Sequence, residues 1–409
     1  MKILMVTPMP PQPQAPGAIP LVLQAELTGL MPRHDITLVT VAGQEPGEQE
    51  AIERLDAMDL EVWAVSRPQP GGLQRWSRRW RLASTWLRGR YPWRTVWFWE
   101  AEVQRILDQL LGQNAFDLIL VEDNAMGAYT YRTKAPLLFT EHEVRRPRPV
   151  DWAALRQVDP LHWALKEADW RRWLRYQRNV WRRFDRIQTF SKRDAEAIRT
   201  IAPDLAQRVR VNPFGIELSR LPSPEQQEPG SLLFVGNFTH EPNVDAALWL
   251  GNEIMPLLRQ QCPGVRLALV GIYPPSAVRL LACDDIQVTG PVPEIEPYFA
   301  RAALVLAPVR IGGGMHMKVL QAMALGKAVV TTSRGADGLA IDGCKPPLVI
   351  SEDAQDFAMA VAQLLANDEA RQELGSRAQA HVRAHFSAQS YASRLEAIYA
   401  EMQAERRWN

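Results

Sequence analysis

Short, continuous apolar runs alternate with segments of helical periodicity from one end of the chain to the other, and this pattern leaves few folds open. Runs such as Ile3-Leu4-Met5-Val6 and Leu118-Ile119-Leu120-Val121 are too brief for helices. They also lack the period-two polarity of a strand with one wet face, so each reads as a strand buried on both sides. Strands of that kind, separated by helices, form parallel sheets covered by helices. With 409 residues, the alternation exceeds what a single core of roughly 250–300 residues can hold. The expected class is therefore α/β, with two Rossmann-like parallel-sheet domains.

The first series holds strands at Ile3–Val6, Ile36–Val41, 116–121, 136–140 and 186–190, with a helix near Leu21–Leu30. Ser191 then caps a helix whose acidic residues Asp194 and Glu196 favour its first turn. Pro222-Ser223-Pro224-Glu225-Gln226-Gln227-Glu228-Pro229-Gly230 breaks the pattern and reads as a linker. A second series follows, with strands at Leu232–Val235, Val265–Val270, 286–289, 303–307 and 328–332, and a continuous helix expected over Val244–Leu258. The organisation read from this is a first domain over 1–220, a linker over 221–230, a second domain over 231–387, and a helix over 388–409 that packs back towards the first domain. Two such domains leave a cleft, and ligands of open parallel sheets bind outside the carboxyl ends of the strands.

The loop with the strongest chemical signal is Ala307-Pro308-Val309-Arg310-Ile311-Gly312-Gly313-Gly314-Met315-His316-Met317-Lys318. A buried strand ends in three glycines and a helix begins at once. Glycines admit close approach of an anion, and the first amides of the helix point at it. His316 and Lys318 add positive charge at the same end, and Gln321 lies one turn further on. Together these features point to phosphate or diphosphate binding rather than a merely tight turn.

On these residues the chain resembles the family 4 (group 1) glycosyltransferases of the GT-B fold. The stretch from Gly312 to Gly326, followed by Val329-Val330-Thr331-Thr332, has that family's glycine-loop and helix pattern. Phe234-Val235-Gly236-Asn237-Phe238-Thr239-His240 and Val288-Thr289-Gly290-Pro291-Val292 resemble the opening of its donor domain and its base-reading loop. The resemblance implies transfer of a sugar from a nucleotide-diphosphate sugar to a glycan, lipid-linked or other hydroxyl acceptor, with retention and without metal or cofactor. It implies donor contacts from Asn237, His240, Asn243, Gly290, Val292, Arg310, Gly312, Gly313, Gly314, His316 and Gln321, with Lys318 catalytic through the departing diphosphate. It also implies a catalytic or sugar-contacting His142, and acceptor contacts from Gly17, Glu122 and Glu141.

The sequence departs from the family pattern in places. Gly313 and Gln321 stand where many members carry paired glutamates, and Gln321 keeps only a neutral acceptor for ribose hydroxyls. Asn237, His240 and Asn243 stand where Arg and Lys are common. A catalytically silent sugar-nucleotide or glycan-binding relative and a sugar-nucleotide epimerase are the rival readings.

The net charge of +1 conceals a basic first half, with 32 Lys+Arg against 26 Asp+Glu up to residue 220. Seven arginines and six tryptophans lie between Gly71 and Trp99 with no acidic residue among them, and eleven of fourteen tryptophans fall between 76 and 181. Indole and guanidinium together suit an anionic membrane surface; the rival reading packs the tryptophans inside. Near-neutral overall charge argues against nucleic acid. Cys262, Cys283 and Cys344 are too few for a disulfide framework, and the start lacks a signal peptide's apolar core. A cytoplasmic location at the inner membrane face is expected, and no His/Cys/Asp cluster has metal-ligand spacing.

Overall fold

The structure, a computed structural model, describes all residues except 14–16, 44–46, 59, 68–79, 81, 90, 147–158, 219–226, 342 and 409. Most of the expected linker and of the Arg75–Arg81 tryptophan-arginine run therefore lies outside the described residues. The chain divides into two compact units. Met1–Gln12, Leu30–Asn212 and Ser393–Asn409 form the first, and Pro13–Gly29 with Pro213–Ala392 form the second.

The first unit is built on seven strands: β1 (Lys2–Thr7), β2 (Asp35–Ala42), β3 (Glu61–Ser66), β4 (Leu118–Glu122), β5 (Leu137–Glu141), β6 (Arg186–Thr189) and β7 (Val209–Val211). All are parallel, in the order β3-β2-β1-β4-β5-β6-β7. β4, at the centre of the sheet, is buried throughout, which is why it appears in the sequence as an apolar run. Sequence reading overlooked β3 and β7. β3 is an edge strand with polar ends, and β7 has three residues with Arg210 at its centre. The helix starting at Lys192 is capped by Ser191, whose Oγ accepts from the Asp194 amide at 3.1 Å. The helix Ala388–Trp408 is tied to this unit from its middle onwards. Glu396 meets His34 at 2.7 Å, Glu401 meets Arg210 at 2.7 Å, Arg406 meets Asp185 at 2.9 Å, and Glu405 pairs with Arg186.

The second unit holds β8 (Ser231–Val235), β9 (Arg266–Val270), β10 (Ile286–Gly290), β11 (Leu304–Ala307), β12 (Ala328–Thr331) and β13 (Val349–Ile350), parallel in the order β10-β9-β8-β11-β12-β13. The helix expected over Val244–Leu258 is divided. α-Helix runs over Glu241–Trp249, a π-helical turn over Leu250–Ile254, and α-helix again over Met255–Gln261. Two causes are visible. Pro256 carries no amide for the regular ladder, and Gly251 is pressed against Leu281, where a Cβ would lie 2.7 Å from a methyl carbon. Lys327, in the turn before β12, donates to the carbonyls of Ala300 (2.9 Å) and Ala302 (3.0 Å) at the end of the helix Glu296–Arg301. That lysine serves the fold, closing a helix terminus with positive charge.

In each sheet the strand order reverses once, between β1 and β4 and between β8 and β11. Loops that follow these strands flank the crevice where open parallel sheets hold ligands.

Candidate functional site

In the second unit, the loops after β8 and β11 border the reversal. The backbone after β8 is fixed by Gly236 N to Val270 O (2.9 Å) and Phe238 N to Ile272 O (3.0 Å). A Cβ on Gly271 would fall 1.8 Å from the Gly236 carbonyl oxygen, so only glycine allows the two loops to touch. Asn243, on the helix Glu241–Trp249, donates through Nδ2 to the Asn237 carbonyl at 2.7 Å. Its Oδ1 accepts a hydrogen bond from Lys318 Nζ. The Lys318 ammonium also stands 4.3 Å above the Phe234 ring. Lys318 is half-buried, and loss of water lowers its pKa from 10.5 to about 7. Asn243 thus occupies a position where the family pattern favours a basic residue, and it holds the basic residue of a neighbouring helix.

The glycine loop bends through left-handed conformations at Gly312 (φ 93°) and Gly314 (φ 78°). Arg334, from the segment after β12, donates to the Gly312 carbonyl at 2.6 Å. Sequence reading missed Arg334; its place after the Val-Val-Thr-Thr strand was the available signal. The helix Met317–Ala324 starts at His316 with no side-chain cap. Its entry is electropositive by virtue of its first amides, and His316 there is half-buried. Arg310 turns away to Asp245, with contacts of 2.7 and 3.1 Å, and covers the Trp249 ring at 4.7 Å. An ion pair with Asp245 engages the guanidinium, which remains partly exposed. Gln321 is half-buried on the same helix as Lys318, and Gly313 is half-buried in the loop. His240 is exposed at the start of its helix. Gly290, with φ 70°, closes β10, two strands from β8, and Val292 follows it half-exposed.

In the first unit, the ends of β4 and β5 carry a polar cluster. Glu122 is fully buried, accepting from Thr140 Oγ1 at 2.6 Å and lying 2.8 Å from His142 Nε2. Glu141, also buried, accepts from Trp181 Nε1 (2.8 Å), Asn124 Nδ2 (2.5 Å) and the Glu143 amide (3.3 Å). Burial pushes the Glu141 carboxyl up to about 8. Both Glu122 and Glu141, expected as acceptor contacts, are buried and hydrogen-bonded to their neighbours in the first unit. Gly17 is half-buried, and a Cβ there would meet only Pro20 at 4.0 Å, so close backbone approach does not demand glycine. Asp123 adopts φ 73°, unusual for a residue with a side chain. It is held by Arg94 (2.9 Å) and by its own bond to the Ala125 amide (2.8 Å).

The tryptophan-arginine segments divide between both readings. Trp173 and Trp181 are buried, and Arg172 stacks 3.9 Å over Trp86. Trp80, Leu87, Leu161 and Leu165 are exposed by 71%, 66%, 72% and 48%. No helix among the described residues is long and apolar enough to cross a membrane. Among the same residues, no group of three or more His, Cys, Asp or Glu could hold a metal ion.

Residues 229–367 match the family model described as Glycosyl transferases group 1. A lipopolysaccharide core biosynthesis mannosyltransferase of Rhizobium leguminosarum bv. viciae is 32% identical over 125 residues, 30% of this chain and 35% of that protein. The chain spans less than half the length of the curated relatives it matches. Over 99% of its length it superposes on sucrose-phosphate synthase from Thermosynechococcus elongatus, all of which is covered, with TM-score 0.65 and 15% identity. Anabaena HepE, solved with UDP and glucose, is covered in full by 98% of this chain with TM-score 0.64 and 16% identity. The fold is therefore that of the GT-B class, two parallel-sheet α/β domains.

Proposed function

We propose that this chain, whose residues 229–367 match the family model for group 1 glycosyl transferases, moves a sugar from a nucleotide-diphosphate sugar to a hydroxyl acceptor. The observation that carries the reading is Lys318, held by Asn243 against Phe234 beside the strand-order reversal and the left-handed glycine loop. A half-buried ammonium, glycine backbone and an uncapped helix start together suit a diphosphate. They stabilise negative charge as it develops on the leaving group, which is where a glycosyl transfer needs help. The HepE complex with UDP and glucose supports a uridine nucleotide as the first donor to try.

Retention of the anomeric configuration and independence from metal belong to the proposal, with Lys318 and His316 supplying the positive charge. His142, whose Nε2 lies 2.8 Å from Glu122, contacts the transferred sugar or the acceptor. A lipid-linked acceptor fits the exposed Trp80, Leu87, Leu161 and Leu165 among arginines, which favour peripheral attachment to anionic membrane. Vesicles containing anionic lipid should float the protein at low salt; failure to do so removes that part.

The test of the main reading is a thermal-shift panel of nucleotides and nucleotide sugars, followed by product analysis with the ligand that raises the midpoint most. A new glycosidic bond supports the proposal. An altered sugar nucleotide identifies an epimerase. Binding without product identifies a silent relative, the reading favoured by Gly313 and Gln321.

A further inference from the structure

A single hydrogen-bonded file crosses the carboxyl ends of four strands in the first unit. Arg394 Nε donates to Asn212 Oδ1 at 2.8 Å, and Asn212 Nδ2 donates to Gln188 Oε1 at 2.9 Å. Gln188 Nε2 donates to Thr140 Oγ1 at 3.2 Å, and Thr140 Oγ1 donates to Glu122 Oε1 at 2.6 Å. Glu122 Oε2 then meets His142 Nε2 at 2.8 Å. Asn212, Gln188, Thr140 and Glu122 are all wholly buried.

The direction of this file follows from its first member. A guanidinium has donors only, so the Asn212 atom facing it must be the oxygen. The amide nitrogen of Asn212 is then turned to Gln188, which must accept with its oxygen and donate with its nitrogen. Thr140 receives that hydrogen on its oxygen and has its own hydroxyl hydrogen left for Glu122. Every donor thus points the same way, from a cation to a buried carboxyl group. Aligned bonds of this kind polarise one another in a low-dielectric interior.

We infer that Arg394, Asn212, Gln188 and Thr140 are positioning residues that make Glu122 an acceptor at both oxygens, fixing His142 as the Nε2–H tautomer with Nδ1 as the unprotonated ring nitrogen. The role of Nδ1 towards substrate rests on the glycosyltransferase reading; the tautomer does not.

Asn212→Asp tests the direction. The carboxylate introduced there still accepts from Arg394, but it offers Gln188 an acceptor where a donor stood. Gln188 must then rotate its amide, and Thr140 turns its hydrogen to Gln188 and away from Glu122. Selective 15N-histidine NMR of the whole chain, with His142 assigned through His142→Gln, reads the tautomer directly. The wild type should show a protonated Nε2 and an unprotonated Nδ1. Asn212→Asp and Thr140→Val should both shift this pair towards tautomer exchange, whereas Arg394→Lys, which keeps a cationic donor, should retain it. With the donor found above, turnover should fall about tenfold in Asn212→Asp while nucleotide affinity in the second unit stays unchanged. His142 resonances that superimpose on wild type in both Asn212→Asp and Thr140→Val overturn the inference. Shifted resonances in a protein with no transferase activity uphold it and sink the glycosyltransferase reading instead.

Discussion

Lys318 carries the most direct quantitative prediction. Its ammonium has lost much of its water, and its pKa stands at about 7 where an ordinary lysine titrates at 10.5. A diphosphate beside it favours the charged form, so binding above pH 7 must be accompanied by proton uptake. With a pKa of 7, the protonated fraction falls from about a quarter at pH 7.5 to about one part in a hundred at pH 9. Affinity for a nucleotide-diphosphate sugar should therefore weaken about twentyfold across that interval. Nucleotide sugars have no phosphate ionisation in that interval. Isothermal titration in two buffers of different ionisation enthalpy measures both the affinity and the protons taken up. Lys318→Arg keeps its charge at every pH in the interval and should give a flat profile. Lys318→Ala should weaken the nucleotide sugar far more than the bare nucleoside. A wild-type affinity that stays constant from pH 7.5 to 9, with no proton uptake, would refute a half-dehydrated lysine as the diphosphate partner.

Three further outcomes are expected. Gln321→Glu should strengthen nucleotide binding if the side chain meets ribose hydroxyls, and equal affinities measured by titration would dissociate Gln321 from the ribose. Gly271→Ala drives a methyl group into the Gly236 carbonyl and should cost about 2–3 kcal/mol in urea unfolding, with nucleotide binding lost in parallel. Glu141 has a raised folded pKa, so the folded state holds its proton more tightly than the unfolded chain. Its contribution is present in full below pH 4.5 and is lost as pH rises towards 8, by at most about 1.4 kcal/mol per pH unit. Glu141→Gln keeps the neutral shape and should flatten that part of the stability profile; an unchanged slope would mean that another group is responsible.

Legibility in the sequence followed the kind of information each feature needed. β4 and β11 could be read at sight, because burial on both faces gives each an apolar run. β7 and β13 could not, since strands of three and two residues are made by their neighbours rather than by their own pattern. The π turn over Leu250–Ile254 was hidden because a helical pattern does not register the pressure of Leu281 on Gly251. At the site, the glycine loop and Lys318 were visible as a local motif. The partnership of Lys318 with Asn243 spans 75 positions and was not.

Local chemistry in the chain thus determined the class of fold, the two-sheet plan and the electropositive loop after β11. Backbone freedom, apolar periodicity and neighbouring charge are properties of short segments. Only the tertiary structure decided that Glu122 and Glu141 are buried, that Arg310 pairs with Asp245, and that Arg394 lies at the head of a file ending on His142. Burial and hydrogen-bond direction depend on which distant groups are brought within about 3 Å of one another, and a packed sheet sets that distance where sequence separation does not.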